Sequence, residues 1–225
     1  MPLGSRSCDI RLCTRINLSR TILLFAEILP SDTLFTDDVH HVSMPKATVL
    51  CGSAKPDGVT RAMCGSAAEH LRGLGWRVET IMLSDLDIRH CTDCGTCRHT
   101  GCVIGDDMGI VYKAFQSSDM LVMASPIHFS GPSSIMKTAM DRFQPWWFNP
   151  NLPHPSVSVG LLCGGSDEPL YRNTVSIFRA FSFTTGMEWR GHLEISGTDR
   201  NGSEGVSEKV SAFLDSVLQG SSGEI

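Results

Sequence analysis

The fold of this chain is decided by the stretch Ala47-Thr-Val-Leu-Cys51, which runs directly into Gly52-Ser-Ala-Lys-Pro-Asp-Gly-Val-Thr60-Arg61. The first part is a short apolar run rich in branched residues and ended by a glycine, which is typical of a buried strand. The second part is polar, and over residues 60–74 apolar side chains recur at helical spacing. The stretch therefore predicts a strand, a loop and a helix, in that order.

The same alternation of strand and helix continues along the chain. Further buried strands are predicted at residues 77–83, 120–124, 157–162 and 189–195. Helices are predicted to begin at Asp106 and Asp107, and to cover residues 136–143, 171–183 and 206–217. Because the strands are continuous apolar runs, we expect a parallel sheet of five strands with helices on both faces.

Composition sets the class of protein. The chain has 225 residues, of which 41% are hydrophobic and 19% charged, which fits one large soluble domain. Regular alternation starts near Met44, so we predict a domain over residues 44–220 and a poorly ordered extension over residues 1–43. No stretch is apolar enough to span a membrane. The net charge of -5 lacks the excess of basic residues that nucleic-acid binding needs, and we expect a cytoplasmic protein.

Ligands of a parallel sheet bind at the carboxyl ends of its strands, so the loops there are the candidate sites. The loop after the first strand supplies backbone N–H groups, hydroxyls at Ser53 and Thr60, and cations at Lys55 and Arg61. This equipment is typical of a phosphate site. The loop matches neither the G-x-G-x-x-G nor the Walker A pattern. An ordinary turn with Thr60 as the helix cap is the alternative.

The loop after the second strand reads C-T-D-C-G-T-C-R-H-T-G-C over residues 91–102. Four thiols at this density indicate a soft metal or redox chemistry, and glycines at 95 and 101 allow the tight backbone that this needs. Three interpretations stay open: an iron–sulfur cluster, zinc with help from His90 or His99, and metal-free thiols. The candidate ligands are Cys91, Cys94, Cys97 and Cys102. We interpret Cys51, Cys64 and Cys163 as buried structural thiols.

Several motifs in order resemble the flavodoxin-like NADPH-dependent FMN reductases, and within them the iron–sulfur flavoproteins. The motifs are Gly52-Ser-x-Lys with Gly58-x-Thr60, Cys91-x-x-Cys94-x-x-Cys97 with Cys102, Asp106-Asp107-Met108, Ser125-Pro-Ile-His-Phe-Ser-Gly131, Met136-Lys137 and Asp141-Arg142. The resemblance implies an FMN-binding flavodoxin-like three-layer α/β sandwich with strand order 2-1-3-4-5. It also implies homodimers or homotetramers in which each flavin site borrows from a neighbour.

The resemblance also implies which residues hold the cofactors. The FMN phosphate would be lined by Ser53, Lys55, Gly58, Val59 and Thr60. The isoalloxazine ring would lie along Ser125, Pro126, Ile127, His128, Phe129, Ser130 and Gly131, with Gly164 and Gly165 flanking it. The four loop cysteines would hold one [4Fe–4S] cluster. The family often has an aromatic residue in place of His128, and a surface or capping histidine is the alternative there.

The predicted function is an FMN-dependent oxidoreductase in which a [4Fe–4S] cluster exchanges electrons with FMN. NAD(P)H is a candidate electron donor, and the partner would be a small molecule or a redox protein. The alternatives are an FMN or quinone reductase without a cluster, a non-enzymatic electron carrier, and a metal-stapled binding module without flavin. No residue is predicted as an acid–base or nucleophilic catalyst, and Trp146-Trp147-Phe148 is expected at a subunit contact, the lip of the flavin site or the core.

Overall fold

The computed structural model describes residues 44–220 and 223–224. The predicted extension of residues 1–43 lies outside the described residues. The long strands are β1 (Lys46–Cys51), β2 (Arg77–Met82), β3 (Met120–His128), β5 (Val157–Cys163) and β6 (Glu188–Ile195), with two-residue strands β4 (Gly131–Pro132) and β7 (Gly223–Glu224). The helices are α1 (Val59–Gly73), α2 (Met108–Gln116), α3 (Ser134–Asp141), α4 (Gln144–Phe148), α5 (Arg172–Thr184), α6 (Thr198–Asn201) and α7 (Val206–Leu218).

The sheet has the strand order β2-β1-β3-β5-β6-β7. All neighbours along this path are parallel, and only the short β4 pairs antiparallel with β3. The five long strands therefore follow the predicted order 2-1-3-4-5, and the predicted flavodoxin-like fold is confirmed. Of the described strands, the sequence analysis did not predict β4 and β7, because two-residue strands have no periodicity to detect.

Alternate residues of the central strands enter two separate cores. Val49 and Val122 pack in the core under α1 and α7, whereas Leu50 and Met123 pack in the opposite core, which also holds Phe115 of α2. The alternation follows from the strand geometry, which points successive side chains to opposite faces. Burial on both faces explains why these strands read as continuous apolar runs.

Strand β3 is longer than predicted. We expected a loop from Ser125, but Ser125 pairs with Leu162 and Pro126 with Cys163. The strand then turns back on itself, because His128 pairs with Gly131 of β4. Phe129 and Ser130 form the turn with φ of 50° and 64°. A proline and polar residues at a strand end hid this extension from the periodicity argument.

The aromatic run after α3 divides between core and surface. Trp146 is buried, Trp147 is 63% exposed, and Phe148 lies under the guanidinium of Arg98, whose Cζ is 4.6 Å from the ring centre. The three residues are the last three of the short helix α4, which the prolines around them had obscured. Within the described residues, no helix combines the length and apolar character that crossing a bilayer requires.

We expect Trp146→Ala to lower the free energy of unfolding by about 3–5 kcal/mol, because it removes a fully buried ring. That ring contacts Tyr112, Phe115 and Phe143, and its Nε1 donates to the carbonyl oxygen of Pro153 at 3.0 Å. Urea unfolding measures the change. The matched control, Trp147→Ala, should stay within about 0.5 kcal/mol of the parent because that ring faces solvent. If both variants lose the same free energy of unfolding, the placement of Trp146 in the core and Trp147 at the surface is contradicted.

Candidate functional site

A cavity of about 660 Å³ lies at the carboxyl ends of β1, β3 and β5. Its walls come from the loop after β1, the end of β3, the first turn of α3 and the loop after β6. The residues that line it are Gly52, Ser53, Ala54, Lys55, Asp57, Gly58, Val59, Thr60, Pro126, Ile127, His128, Ser133, Ser134, Ile135, Cys163, Gly165, Thr198, Asp199, Gly202 and Ser203. This is the sheet edge at which the strand order predicted a ligand.

The loop after β1 presents the start of α1 to this cavity. Gly58 is the N-cap residue with extended φ and ψ of -79° and 151°, and no side chain caps the helix. The first N–H groups of a helix have no intrahelical partner, so those of α1 are open to an oxyanion. The loop folds on itself, because Lys55 N donates to Ser53 Oγ at 3.2 Å and Gly58 N to the Lys55 carbonyl at 3.2 Å.

Thr60 is tied to the neighbouring strand by a buried thiol. Its Oγ1 lies 3.1 Å from Sγ of Cys163, and either atom can be the donor. Burial raises the pKa of the Cys163 thiol, so the proton stays on sulfur and is available for this bond. When Cys163 donates, the Thr60 hydroxyl keeps its own proton free for a ligand oxygen.

Ser133 joins the loop after β1 to helix α3, and the sequence analysis missed this residue. Its Oγ donates to the Gly52 carbonyl at 2.6 Å and accepts from Met136 N at 3.2 Å, while its own N–H donates to Ser125 Oγ at 2.9 Å. Gly52 needs to be glycine, since a Cβ there would lie 2.8 Å from Cβ of Met136. A serine directly before a helical pattern is a cap signal that could have found Ser133.

Most of the predicted flavin residues line the cavity, and five do not. Ser125 is fully buried and holds Ser133, and Gly131 pairs with His128 in the β4 turn. Phe129 is fully exposed at the tip of that turn, next to Ser130. Gly164 packs against Pro169, where a Cβ would lie 2.3 Å from the proline ring. The longer β3 explains the first four, because it places Ser125 inside the sheet and residues 129–131 in the turn to β4 and in β4 itself.

Four lining residues from Thr198 to Ser203 come from the loop and short helix after β6, which the sequence analysis did not assign to the site. Asp199 lies directly over Gly165, where a Cβ would be 2.3 Å from its carboxylate. This loop also follows the carboxyl end of a parallel strand, so the same rule that found the other loops could have included it.

The four loop cysteines line a second, smaller cavity. Cys91, Cys94, Cys97 and Cys102 share its wall with Arg98, Arg142 and Phe148. The predicted glycine turns are confirmed, since Gly95 and Gly101 have φ of 71° and 83°. The space between the walls is about 30 Å³, little more than a water molecule occupies.

The sulfur atoms surround one cavity without converging on one point. In the part of the chain that the structure describes, no three Cys, His, Asp or Glu side chains lie close enough together to hold a metal ion. The chemistry of the four thiols nevertheless suits a soft metal centre. Burial, and then the neighbouring thiolates of Cys102, Cys91 and Cys94, raise the pKa of Cys97, and bound metal cations would remove this repulsion.

Helix α3 separates the two cavities. Its first residue, Ser134, lines the large cavity, and Arg142, which follows its last residue, lines the thiol cavity. Eight residues of helix rise by about 12 Å. The loop of residues 91–102 follows the carboxyl end of β2 as expected, but it brings the thiols to the far end of α3 and not beside the large cavity.

Outside this loop, the described cysteines Cys51, Cys64 and Cys163 are buried, as predicted. A hydrogen bond from Cys64 lowers the pKa of Cys51 to about 7, against the effect of burial. The same bond, together with burial, raises the pKa of Cys64. These thiols lie in the core below the loop after β1.

A family model described as NADPH-dependent FMN reductase matches residues 45–178, more than half of the chain. The chain belongs to this family. The match runs from β1 into α5, so it includes the four loop cysteines and every lining residue of the large cavity except those from Thr198 to Ser203. The resemblance seen in the sequence motifs is therefore confirmed at the level of the family.

Curated relatives are named iron–sulfur flavoproteins. One from Archaeoglobus fulgidus is 35% identical over 108 residues, which are 48% of this chain and 49% of that protein. Another, from Methanocaldococcus jannaschii, is 28% identical over 137 residues, which are 59% of this chain and 71% of that protein. The first match thus spans about half of that relative's length and the second about seven tenths, and their names agree with the subgroup that the cysteine motif indicated.

A solved structure shares the fold. The NAD(P)H:quinone oxidoreductase from Methanothermobacter marburgensis matches with a TM-score of 0.63 at 14% identity, over 81% of this chain and 99% of that one. At this identity the likeness shows the fold alone.

We expect Cys94 to be alkylated by iodoacetamide before the other described thiols in metal-free, reduced protein. Cys94 is exposed, and the Thr96 hydroxyl, which donates to its Sγ at 3.3 Å, lowers its pKa from the ordinary 9.0. Because the thiolate reacts, the rate should rise with pH with a midpoint below 9.0. Peptide mass spectrometry at several pH values measures this.

The variant Thr96→Val should move that midpoint upward, whereas Thr100→Val in the same loop should leave it unchanged. If the midpoint of Thr96→Val equals that of the parent, the Thr96 hydroxyl is not the cause of the lowered Cys94 pKa.

Proposed function

We propose that this protein is an FMN-dependent oxidoreductase that also carries a [4Fe–4S] cluster on Cys91, Cys94, Cys97 and Cys102. The observation that carries the proposal is the pairing of two sites on one chain of this family. A large cavity faces the open N–H groups of α1, and a second cavity is lined by four thiols. The names of the curated relatives support the combination.

The loop after β1 would hold the FMN phosphate. Ser53, Gly58, Val59 and Thr60 would surround it with hydroxyls and backbone N–H groups, and Lys55 at the rim would supply a positive charge. The fit is supported by the glycines, because the backbone can approach a ligand closely where no Cβ intervenes. Asp57 and Asp199 also line the cavity, so the phosphate would have to bind away from these carboxylates.

The end of β3 would face the flavin ring. Pro126, Ile127 and His128 line the cavity there, and Gly165 lines it from the neighbouring loop. When bound, FMN supplies the capacity to accept two electrons from a donor such as NAD(P)H and to pass them on. The chain's own part is to bind, orient and shield the ring, which needs neither an acid–base nor a nucleophilic side chain.

A reductase without a cluster is the second candidate. It is favoured by the 30 Å³ volume of the thiol cavity, which in its described form holds no more than one or two water molecules. Loading of a cluster would require the loop of residues 91–102 to rearrange so that its four thiols converge. The 3₁₀ turn at Thr96–Arg98 and the exposed Cys94 both lie within this loop, and surface loops move more readily than the helices and strands they connect.

A second copy of the chain is the proposed partner at the flavin site. Phe129 projects fully into solvent from a turn with positive φ at both of its residues, and Trp147 and Phe183 are also exposed. Large apolar side chains of this kind are typical of subunit contacts. The electron acceptor would be a small molecule or a redox protein, and the free thiols support a place in the reducing cytoplasm.

Anaerobic purification followed by an absorption spectrum, with iron and acid-labile sulfide assays, tests both cofactors in one sample. We expect flavin bands together with about four iron and four sulfide per chain, as one [4Fe–4S] cluster requires. Flavin without iron would select the cluster-free reductase, and protein that neither contains nor takes up FMN would refute both. Turnover with NAD(P)H distinguishes an enzyme from an electron carrier.

We expect Cys94→Ala to abolish iron and sulfide incorporation while FMN stays bound, since a [4Fe–4S] centre needs four thiolates. Cys64→Ala is the control, because that buried thiol lies outside the loop, and it should retain iron. Normal iron content in Cys94→Ala would remove Cys94 from the ligand set.

We expect Thr60→Val to raise the Kd for FMN by about tenfold or more, since hydrogen bonds to charged groups contribute about 1.5–3 kcal/mol. Fluorescence titration of flavin-free protein measures the affinity. Thr60→Ser keeps the hydroxyl and should bind nearly as the parent does, and Cys163→Ala separates loss of the thiol contact from loss of the hydroxyl. Unchanged affinity in Thr60→Val would place the phosphate elsewhere.

A further inference from the structure

A completely buried arginine lies beneath the four thiols. The Arg142 side chain is 1% exposed, and its partner Asp106 is 0% exposed. The guanidinium binds this carboxylate through two nitrogens, with Nη1 2.5 Å from Oδ2 and Nη2 3.2 Å from Oδ1. This two-point geometry suits the planar guanidinium and no other side chain.

The ion pair connects the two ends of the cysteine loop. On the entering side, Arg142 Nη1 donates to the carbonyl oxygen of Arg89 at 2.7 Å, and Arg89 N donates to Asp106 Oδ2 at 2.9 Å. On the leaving side, Asp106 Oδ1 accepts from Met108 N at 3.1 Å. Both ends of residues 89–106 are therefore fixed to one buried pair.

Arg142 also reaches a thiol directly. Its Nη2 donates to Sγ of Cys102 at 3.3 Å, and Arg142 lines the same cavity as the four cysteines. The Nε atom is buried and has no partner among the described residues. Stability alone does not account for this arrangement, because desolvation largely cancels the attraction within a buried ion pair.

We propose that Arg142 is the positioning residue of the metal centre: it holds Cys102 and both ends of the loop in place, and its N–H···S bond raises the reduction potential of the centre. This inference rests on the proposed iron–sulfur function. A hydrogen bond to a ligand sulfur stabilises the reduced centre more than the oxidised one, because the reduced centre carries more negative charge. Because Arg142 is buried, its guanidinium can bond only to the groups packed around it, and Asp106 neutralises its charge.

The test uses the double variant Arg142→Met/Asp106→Asn in the full chain. It removes one positive and one negative charge together, so the net charge is unchanged and no lone charge remains buried. The loss of the N–H···S bond is thereby separated from a change in charge. The matched control is Arg190→Met/Glu188→Gln, which removes an ion pair of β6 that is partly exposed and distant from the thiols.

Three quantities are measured on anaerobic protein: iron and sulfide per FMN, the reduction potential of the cluster, and hydrogen exchange of residues 89–106. We expect the double variant to bind FMN normally and to exchange about tenfold faster over residues 89–106. At a fixed potential its ratio of reduced to oxidised cluster should fall about tenfold, which is about 59 mV for a one-electron couple. The control should match the parent in all three.

A double variant that loads iron at the parent potential overturns the proposal, even if its exchange rises, since Arg142 would then only brace the loop. If the double variant takes up FMN but no iron, Arg142→Lys decides, because it keeps the charge and loses the two-point geometry. A reduction potential of Arg142→Lys below that of the parent supports the proposal. A reduction potential equal to that of the parent overturns it. Parent protein without iron refutes the iron–sulfur function itself, and the role of Arg142 falls with it.

Discussion

The structure depends on the pairing of β1 with a strand on each side. Its backbone bonds to β2 and to β3, and its side chains are buried on both faces, so β1 has no contact with solvent along most of its length. Since both faces and both edges of β1 are covered, polar groups can be presented to a ligand only where the strand ends. The loop after Cys51 is therefore where the interior of the sheet first opens to the large cavity, and the start of α1 is oriented by the same constraint.

The fold was predictable because its determinants are local. Short apolar runs define the central strands, and apolar residues at helical spacing define the helices. The burial of alternate residues in two cores explains why the central strands are largely apolar. Much of the site followed from one topological rule about carboxyl ends. The role of Ser133 did not, because its three hydrogen bonds join segments that only the tertiary fold brings together.

The thiol site shows the limit of motif spacing. The order and glycines of residues 91–102 predicted a compact loop, and the turns at Gly95 and Gly101 agree. Spacing carries no information on what lies beneath such a loop, and here that is Arg142, forty residues from Cys102 along the chain. The pair of Arg142 with Asp106 depends on the packing of α3 against the start of α2, which no local pattern encodes.

Gly52 has a consequence for how far this domain can vary. Its missing side chain lets Met136 of α3 rest directly on the end of β1, and its carbonyl oxygen holds Ser133. Since α3 extends from the large cavity to Arg142, one added methyl group at this position would push the helix away from the sheet and disturb both cavities at once. Glycine at position 52 thus constrains the two cavities together, although different residues line them.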